Sequence, residues 1–138
     1  MNDLPEFSSI HVLVLGDVML DRYIWGKVER ISPEGPIPVA HVQNRTSRLG
    51  GAGNVAANLD GLECKVTLAG IIGEDPAGQE ITRLLENQNI RDACISVSDL
   101  PTVSKTRIIG GVQQIARIDE EQPEYINTST RKKAWDIV

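Results

Sequence analysis

Basic charge, cysteine and long apolar runs are all scarce in these 138 residues. Lys and Arg total 14 against 19 Asp and Glu, a net charge of −5. That balance argues against general binding to nucleic acid or to an anionic membrane, since both favour a basic surface. The longest apolar runs, such as Val12–Leu15, fall far short of the ~20 residues a helix needs to cross a bilayer. Met1–Glu6 has no basic stretch followed by an apolar one, so no signal peptide is expected there. Cys64 and Cys94 lie 30 residues apart, without CxxC spacing, in or beside apolar segments. They read as buried thiols of a reducing compartment, and a cytoplasmic location is the expectation that follows. His11 and His41 have no partners at metal-ligand spacing and read as structural, so no metal site is expected. Trp25 and Trp135 read as packing residues. No Ser-His-Asp, Cys-His or zinc pattern emerges.

What is present is an ordinary globular composition, 41% hydrophobic and 24% charged, in a chain long enough for one domain with a real core. Ile10–Leu15 is a continuous apolar run ending at Gly16, which predicts a buried central parallel strand with a turn at Gly16-Asp17. Pro33, Gly35, Pro36 and Pro38 exclude a helix over 31–39. Val39–Arg45 alternates loosely, as an exposed edge strand does. Gly50-Gly51-Ala52-Gly53-Asn54 predicts a glycine turn opening a helix over 55–59, with Gly61 as its stop. Cys64–Ile72 predicts a second buried strand and Ala93–Val97 a third. Between them Asp75 caps a helix that starts at Pro76 and runs to about Gln88, with Ile81, Leu84, Leu85 and Gln88 on one stripe. Thr102–Ile109 and Val112–Ile118 flank Gly110-Gly111, a hairpin signal. Thr128 or Ser129 can cap a final helix from about Thr130 to Val138. The order predicts an α/β core carrying a small separate β-sheet.

Three groups of residues could carry chemistry. The glycine segment lets the backbone approach a ligand, its helix start offers free N–H groups, and the Asn54 amide suits neighbouring hydroxyls. It reads equally well as a tight turn with Asn as N-cap. It fits neither a dinucleotide fingerprint nor a P-loop. Asp17 stands just past the first strand, where open parallel sheets bind ligands, and its carboxylate can accept from sugar hydroxyls. Asp21, four residues on, could lie on the same side of a turn as Asp17 but is more naturally a surface charge. Lys105 and Arg107 share one face of a strand, with Arg117 on the return strand, a set able to grip a phosphate. A solvated, charge-protected edge strand explains them as well.

Taken together these segments resemble the PfkB, or ribokinase-like, carbohydrate kinases. The resemblance rests on 14–23 (Val-Leu-Gly-Asp-Val-Met-Leu-Asp-Arg-Tyr), 30–39 with its Ile-Ser-Pro-Glu, 50–58 with the double glycine and Asn54, 70–75 with Gly78, 102–107, and Gln113-Gln114 followed by Arg117-Ile118-Asp119. It spans about residues 10–120. The Ile-Ser-Pro-Glu and Gln-Gln…Arg-Ile-Asp segments point to the heptose 7-phosphate kinase branch. The resemblance implies a Rossmann-like ribokinase fold with a β-sheet lid formed by about 22–48 and 102–118, and a homodimer through that lid. It implies that Asp17, Gly50, Gly51 and Asn54 hold sugar hydroxyls and that Lys105 and Arg107 meet the sugar phosphate, with Asp21, Gln113 and Arg117 as further candidates. The implied reaction moves the γ-phosphate of Mg-ATP to the anomeric hydroxyl of D-glycero-D-manno-heptose 7-phosphate, a step towards ADP-heptose and the lipopolysaccharide core. A ribokinase-like enzyme for another sugar is the alternative within the family, and a non-catalytic sugar-phosphate-binding or dimerisation module the alternative outside it.

One departure matters. The family's Gly-Ala-Gly-Asp helix start, which supplies the anion hole and the catalytic Asp, has no counterpart after residue 54. Residues 1–138 are therefore expected to be the N-terminal portion of a kinase domain, with the ATP-binding part beyond Val138 and no catalytic or cofactor-binding residue in this chain. Such a portion is expected to be inactive alone. Leu49 also stands where relatives often have proline before the double glycine.

Overall fold

The computed structural model describes residues 6–122, together with Thr128 and Lys132, which are helical. The rest of the final helix expected from about Thr130 lies outside the described residues. In chain order the elements are β1 (His11–Leu15), β2 (Val18–Ile31), β3 (Pro38–Gly51), α1 (Ala52–Asp60), β4 (Lys65–Ala69), β5 (Ile71–Gly73), α2 (Pro76–Asn87), β6 (Arg91–Asp92), β7 (Ile95–Val97), β8 (Ser104–Gly110) and β9 (Gln113–Glu120). The class is mixed α/β, as expected.

The body is parallel. β4 lies between β1 and β6, and β5 pairs with β7. The predicted strand over 64–72 is thus two strands, interrupted at Gly70, whose carbonyl turns aside to accept the Ile95 N–H at 2.8 Å. Val66, Leu68, Ile72, Ala56, Ile81 and Leu85 fill the core. Burying each large aliphatic side chain contributes about 1.5–3 kcal/mol. β1 departs from expectation. Val12 and Val14 pack on the core, but Leu13 and Leu15 are 46% and 58% exposed. Among the described residues β1 pairs with β4 alone, which leaves its Leu13 and Leu15 face uncovered there.

α2 starts as the sequence predicts. The Asp75 carboxylate accepts from the Gly78 N–H at 2.8 Å and Pro76 occupies the first turn. Ile81 and Leu85 are fully buried on its inner face.

The second sheet has order β3-β2-β8-β9, with β2 antiparallel to β3, β8 parallel to β2, and β9 returning from β8 as the predicted hairpin. β2 and β3 have 14 residues each, far more than the sequence suggested. β2 begins at Val18, and Val18 and Leu20 are core residues at 2% and 0% exposure. One continuous strand therefore leaves the body and becomes the spine of the second sheet. Asp17 and Asp21 do not share a turn, because Asp21 is already inside β2.

Both thiols are free. Cys64 is buried, and the half-buried Cys94 has its pKa pushed up to about 12, by desolvation first and by Asp92 second. At pH 8 such a thiol carries roughly a thousandfold less thiolate than an ordinary cysteine of pKa ~8.5. Native Cys94 should resist iodoacetamide at that pH by a comparable factor and react quickly in urea, as peptide mass spectrometry would reveal. Rapid native labelling would contradict the buried placement.

Candidate functional site

The body and the second sheet meet where β1 ends and β2 begins. A cleft of about 410 Å³ opens there, lined by Gly16, Asp17, Met19, Pro101, Val103 and Glu121 among others. It lies at the carboxyl ends of β1 and β4, the position at which parallel sheets present ligand sites. Asp17 is exposed to it.

The glycine segment is not a free turn. Gly50 and Gly51 are the last residues of β3, and α1 begins directly after them. Gly51 has φ +56, and a Cβ on it would lie 2.3 Å from the Asp17 carbonyl oxygen. A Cβ on Gly50 would lie 2.6 Å from Asp21 Oδ2. The two missing side chains leave room for the β2 backbone and for the Asp21 carboxylate. The Ala52 N–H donates to the Asp17 carbonyl at 2.8 Å, tying the first turn of α1 to the Asp17 loop. No side chain caps α1, so Asn54 is not an N-cap. Asn54 is exposed on that first turn and outside the lining of the cleft.

From the cleft, alternate residues of β2 lead along one face of the second sheet. Register sets Arg48 (β3), Asp21 (β2), Lys105 (β8) and Asp119 (β9) side by side, and Thr46, Tyr23, Arg107 and Arg117 beyond them. The Arg107 Nη1 donates to Asp21 Oδ1. That bond, ahead of the opposing desolvation, raises the Arg107 pKa and keeps the guanidinium charged. Lys105 pairs with Asp119 at 3.6 Å and Glu121 at 3.7 Å, and Arg117 with Asp119 at 2.9 Å. Tyr23 stacks on Trp25 with ring centroids 6.1 Å apart, and Arg107 lies 5.3 Å from the Tyr23 centroid.

The fold thus brings Asp21, Gly50, Lys105 and Arg107 together, with Arg117 one strand further on. Gln113 pairs with Gly110 at the hairpin tip, apart from this group. Asp21, which the sequence suggests is a surface charge, is a half-buried partner of Arg107, because a long strand rather than a turn carries it. Trp25 is 39% exposed and stacked on Tyr23, so it is not a core residue. Sequence reasoning missed Tyr23 and Arg48. The available signal was the period-2 series Met19, Asp21, Tyr23, Trp25, legible only once β2 is known to run unbroken.

Residues 9–138 match the pfkB family carbohydrate kinase. The chain belongs to the PfkB carbohydrate kinase family. Among PfkB relatives, it is 48% identical over 118 residues to the Bifunctional protein HldE of Actinobacillus pleuropneumoniae serotype 5b, covering 86% of this chain and 25% of HldE. It is 47% identical over 124 residues to the D-beta-D-heptose 7-phosphate kinase of Bordetella bronchiseptica, covering 88% of this chain and 40% of that enzyme. The chain therefore spans a quarter to two-fifths of the length of these relatives. In structure it superposes on phosphofructokinase-2 from Escherichia coli in complex with fructose-6-phosphate, with TM-score 0.67 and 20% identity, over 93% of this chain and 40% of that one. At that identity the likeness speaks for the fold alone. Among the described residues no helix is long and apolar enough to cross a membrane, and no group of three His, Cys, Asp or Glu could hold a metal ion.

Proposed function

We propose that this chain is the sugar-acceptor portion of a PfkB kinase whose acceptor is a phosphorylated sugar, heptose 7-phosphate being the best candidate. The observation that carries the reading is the Asp21–Arg107 pair beside Lys105, on the sheet face that continues from the Asp17 cleft. The names of the relatives, HldE and heptose 7-phosphate kinase, agree with it.

In this reading the second sheet is the lid of a Rossmann-like ribokinase fold. The sugar ring lies in the cleft, where Asp17 accepts from its hydroxyls, while Asn54, outside the cleft lining, would meet the sugar only where it projects from the cleft. Asp21 holds the Arg107 fork in place, and Arg107 with Lys105 takes the sugar phosphate at the far end. Asp17 and Asp21 are four residues apart along the extended chain entering β2, roughly 13 Å at 3.3 Å per residue, which separates the hydroxyl end from the phosphate end. The lid keeps water from the acceptor hydroxyl. Bound Mg-ATP supplies the phosphoryl group and neutralises its charge. The part of this chain is to hold and orient the acceptor. The lid face opposite the site carries Ile24, Ile108 and the exposed Val28, Val42 and Ile118, an apolar surface suited to a homodimer contact. A cytoplasmic location accords with two free thiols.

The test is calorimetric binding of heptose 7-phosphate and of an unphosphorylated pentose. The phosphorylated heptose should bind and the pentose should not. Lys105→Ala with Arg107→Ala should weaken the heptose phosphate about thirtyfold or more, since each charge-assisted bond contributes ~1.5–3 kcal/mol. Unchanged affinity in the double variant would remove the phosphate clamp. Preferential pentose binding would favour a ribokinase-like enzyme instead.

A further inference from the structure

The cations at the two rungs of the site face are not equivalent. Lys105 is paired with Asp119 and Glu121, Arg107 with Asp21, and Arg117 with Asp119. Each of these charges is largely compensated before any ligand arrives. Arg48 is different. It lies in register with Asp21 on β3, it is exposed, and among the described residues no carboxylate stands within 4.0 Å of it. Its guanidinium sits 5.8 Å from the Tyr23 ring centroid, while Arg107 sits 5.3 Å from the same centroid. One aromatic ring, itself stacked on Trp25, therefore gathers two guanidinium groups from strands on either side of β2. Arginine packs on an aromatic face while leaving its N–H fork free to bind an anion.

A phosphate monoester is close to a dianion at neutral pH. It gains less from a cation whose charge a neighbouring carboxylate already offsets than from one that is uncompensated and need not be released from a partner. We infer that Arg48, positioned with Arg107 by Tyr23, contacts the acceptor's phosphate and makes the site select a phosphorylated sugar over a neutral one. This inference rests on the proposed acceptor role of the site. It adds a specificity residue and an aromatic positioning residue to it.

The experiment compares binding of heptose 7-phosphate, unphosphorylated heptose and inorganic phosphate to the wild-type chain and to Arg48→Ala, Arg48→Lys, Tyr23→Phe and Tyr23→Leu. Arg48→Ala should weaken heptose 7-phosphate about tenfold or more and leave the unphosphorylated heptose unchanged, because only the charge-assisted contacts are lost. Arg48→Lys should fall between, keeping the charge without the fork. Tyr23→Phe should bind as wild type and Tyr23→Leu should lose part of the discrimination, which a simple packing role would not produce. Inorganic phosphate should compete with the sugar phosphate only weakly, and should do so less in Arg48→Ala. If Arg48→Ala does not fold, Arg48→Gln carries the same comparison. Arg48→Ala binding heptose 7-phosphate as wild type, while the Lys105 and Arg107 double variant is weakened, would overturn the inference and leave the proposed function standing. A wild-type chain that binds phosphorylated and unphosphorylated heptose equally would overturn both.

Discussion

Gly51→Ala should destabilise the chain by about 3 kcal/mol or more, the cost of a side chain at a backbone conformation reserved for glycine combined with a steric overlap. Gly51 sits at φ +56 and ψ −129, outside the regions other residues occupy comfortably. The added methyl would lie 2.3 Å from the Asp17 carbonyl oxygen and 3.0 Å from Met19 Cε. The side chain of Met19 can move. The Asp17 carbonyl cannot move freely, because it accepts the Ala52 N–H that joins the Asp17 loop to α1. Relief at Gly51 therefore means breaking that bond or displacing the end of β3, and either change opens the junction that places Asp17 beside α1. Urea denaturation monitored by circular dichroism would measure the loss. A change below about 0.5 kcal/mol, the range of neutral surface substitutions, would mean that the junction is not built this way. If the proposed acceptor role holds, sugar-phosphate binding should fall along with stability, since the same junction shapes the cleft.

Asp75→Ala should produce the second large effect, and one that depends on pH. The Asp75 carboxylate accepts from the Gly78 N–H at 2.8 Å, the Thr102 N–H at 2.7 Å and the Thr102 hydroxyl at 2.7 Å. Thr102 is buried, and its hydroxyl oxygen accepts the Gly73 N–H at 2.8 Å. The node therefore joins the start of α2 to the segment that leads into β8, and so joins the body to the second sheet. Removing the carboxylate deletes an N-cap, worth ~1 kcal/mol, and leaves a buried Thr102 N–H without its acceptor, which together cost about 3 kcal/mol. Desolvation acts to raise the Asp75 pKa, but the Thr102 and Gly78 hydrogen bonds outweigh it and hold the value below the usual 3.8. A depressed folded pKa means that the ionised carboxylate stabilises the fold at all pH values above the unfolded pKa. That contribution fades as pH falls from about 4 through the lower folded value. The stability gap between wild type and Asp75→Ala should thus be full at pH 7 and narrow below pH ~4. A gap that stayed constant down to pH ~2 would show that the carboxylate's charge has no part in the node.

Local chemistry made much of this legible in advance. Asp75-Pro76 announces a capped helix because a carboxylate and a proline suit the first turn whatever surrounds them. Gly110-Gly111 between two alternating stretches announces a hairpin for the same kind of reason. The strand at β1 was legible too, since Val12, Leu13 and Val14 suit little else at that length. The exposure of Leu13 and Leu15 among the described residues was not, because burial depends on which strands come alongside. Asp21 was misjudged for a related reason. Four residues of spacing cannot distinguish a turn from a strand, and only the pairing of Asp21 with Arg48 and Lys105 places it between cations.

The linear order of residues determined the α/β class, helices α1 and α2, the hairpin and the segments that identify the carbohydrate kinase family, because each rests on contacts within a few positions of the chain. Tertiary structure alone decided which side chains share a face. Strand register joins residues as distant as Asp21 and Arg107, and a slip of one position would send every side chain to the opposite surface. The gathering of Arg48 and Arg107 around Tyr23 is a product of that register, so no inspection of neighbouring letters could have revealed it.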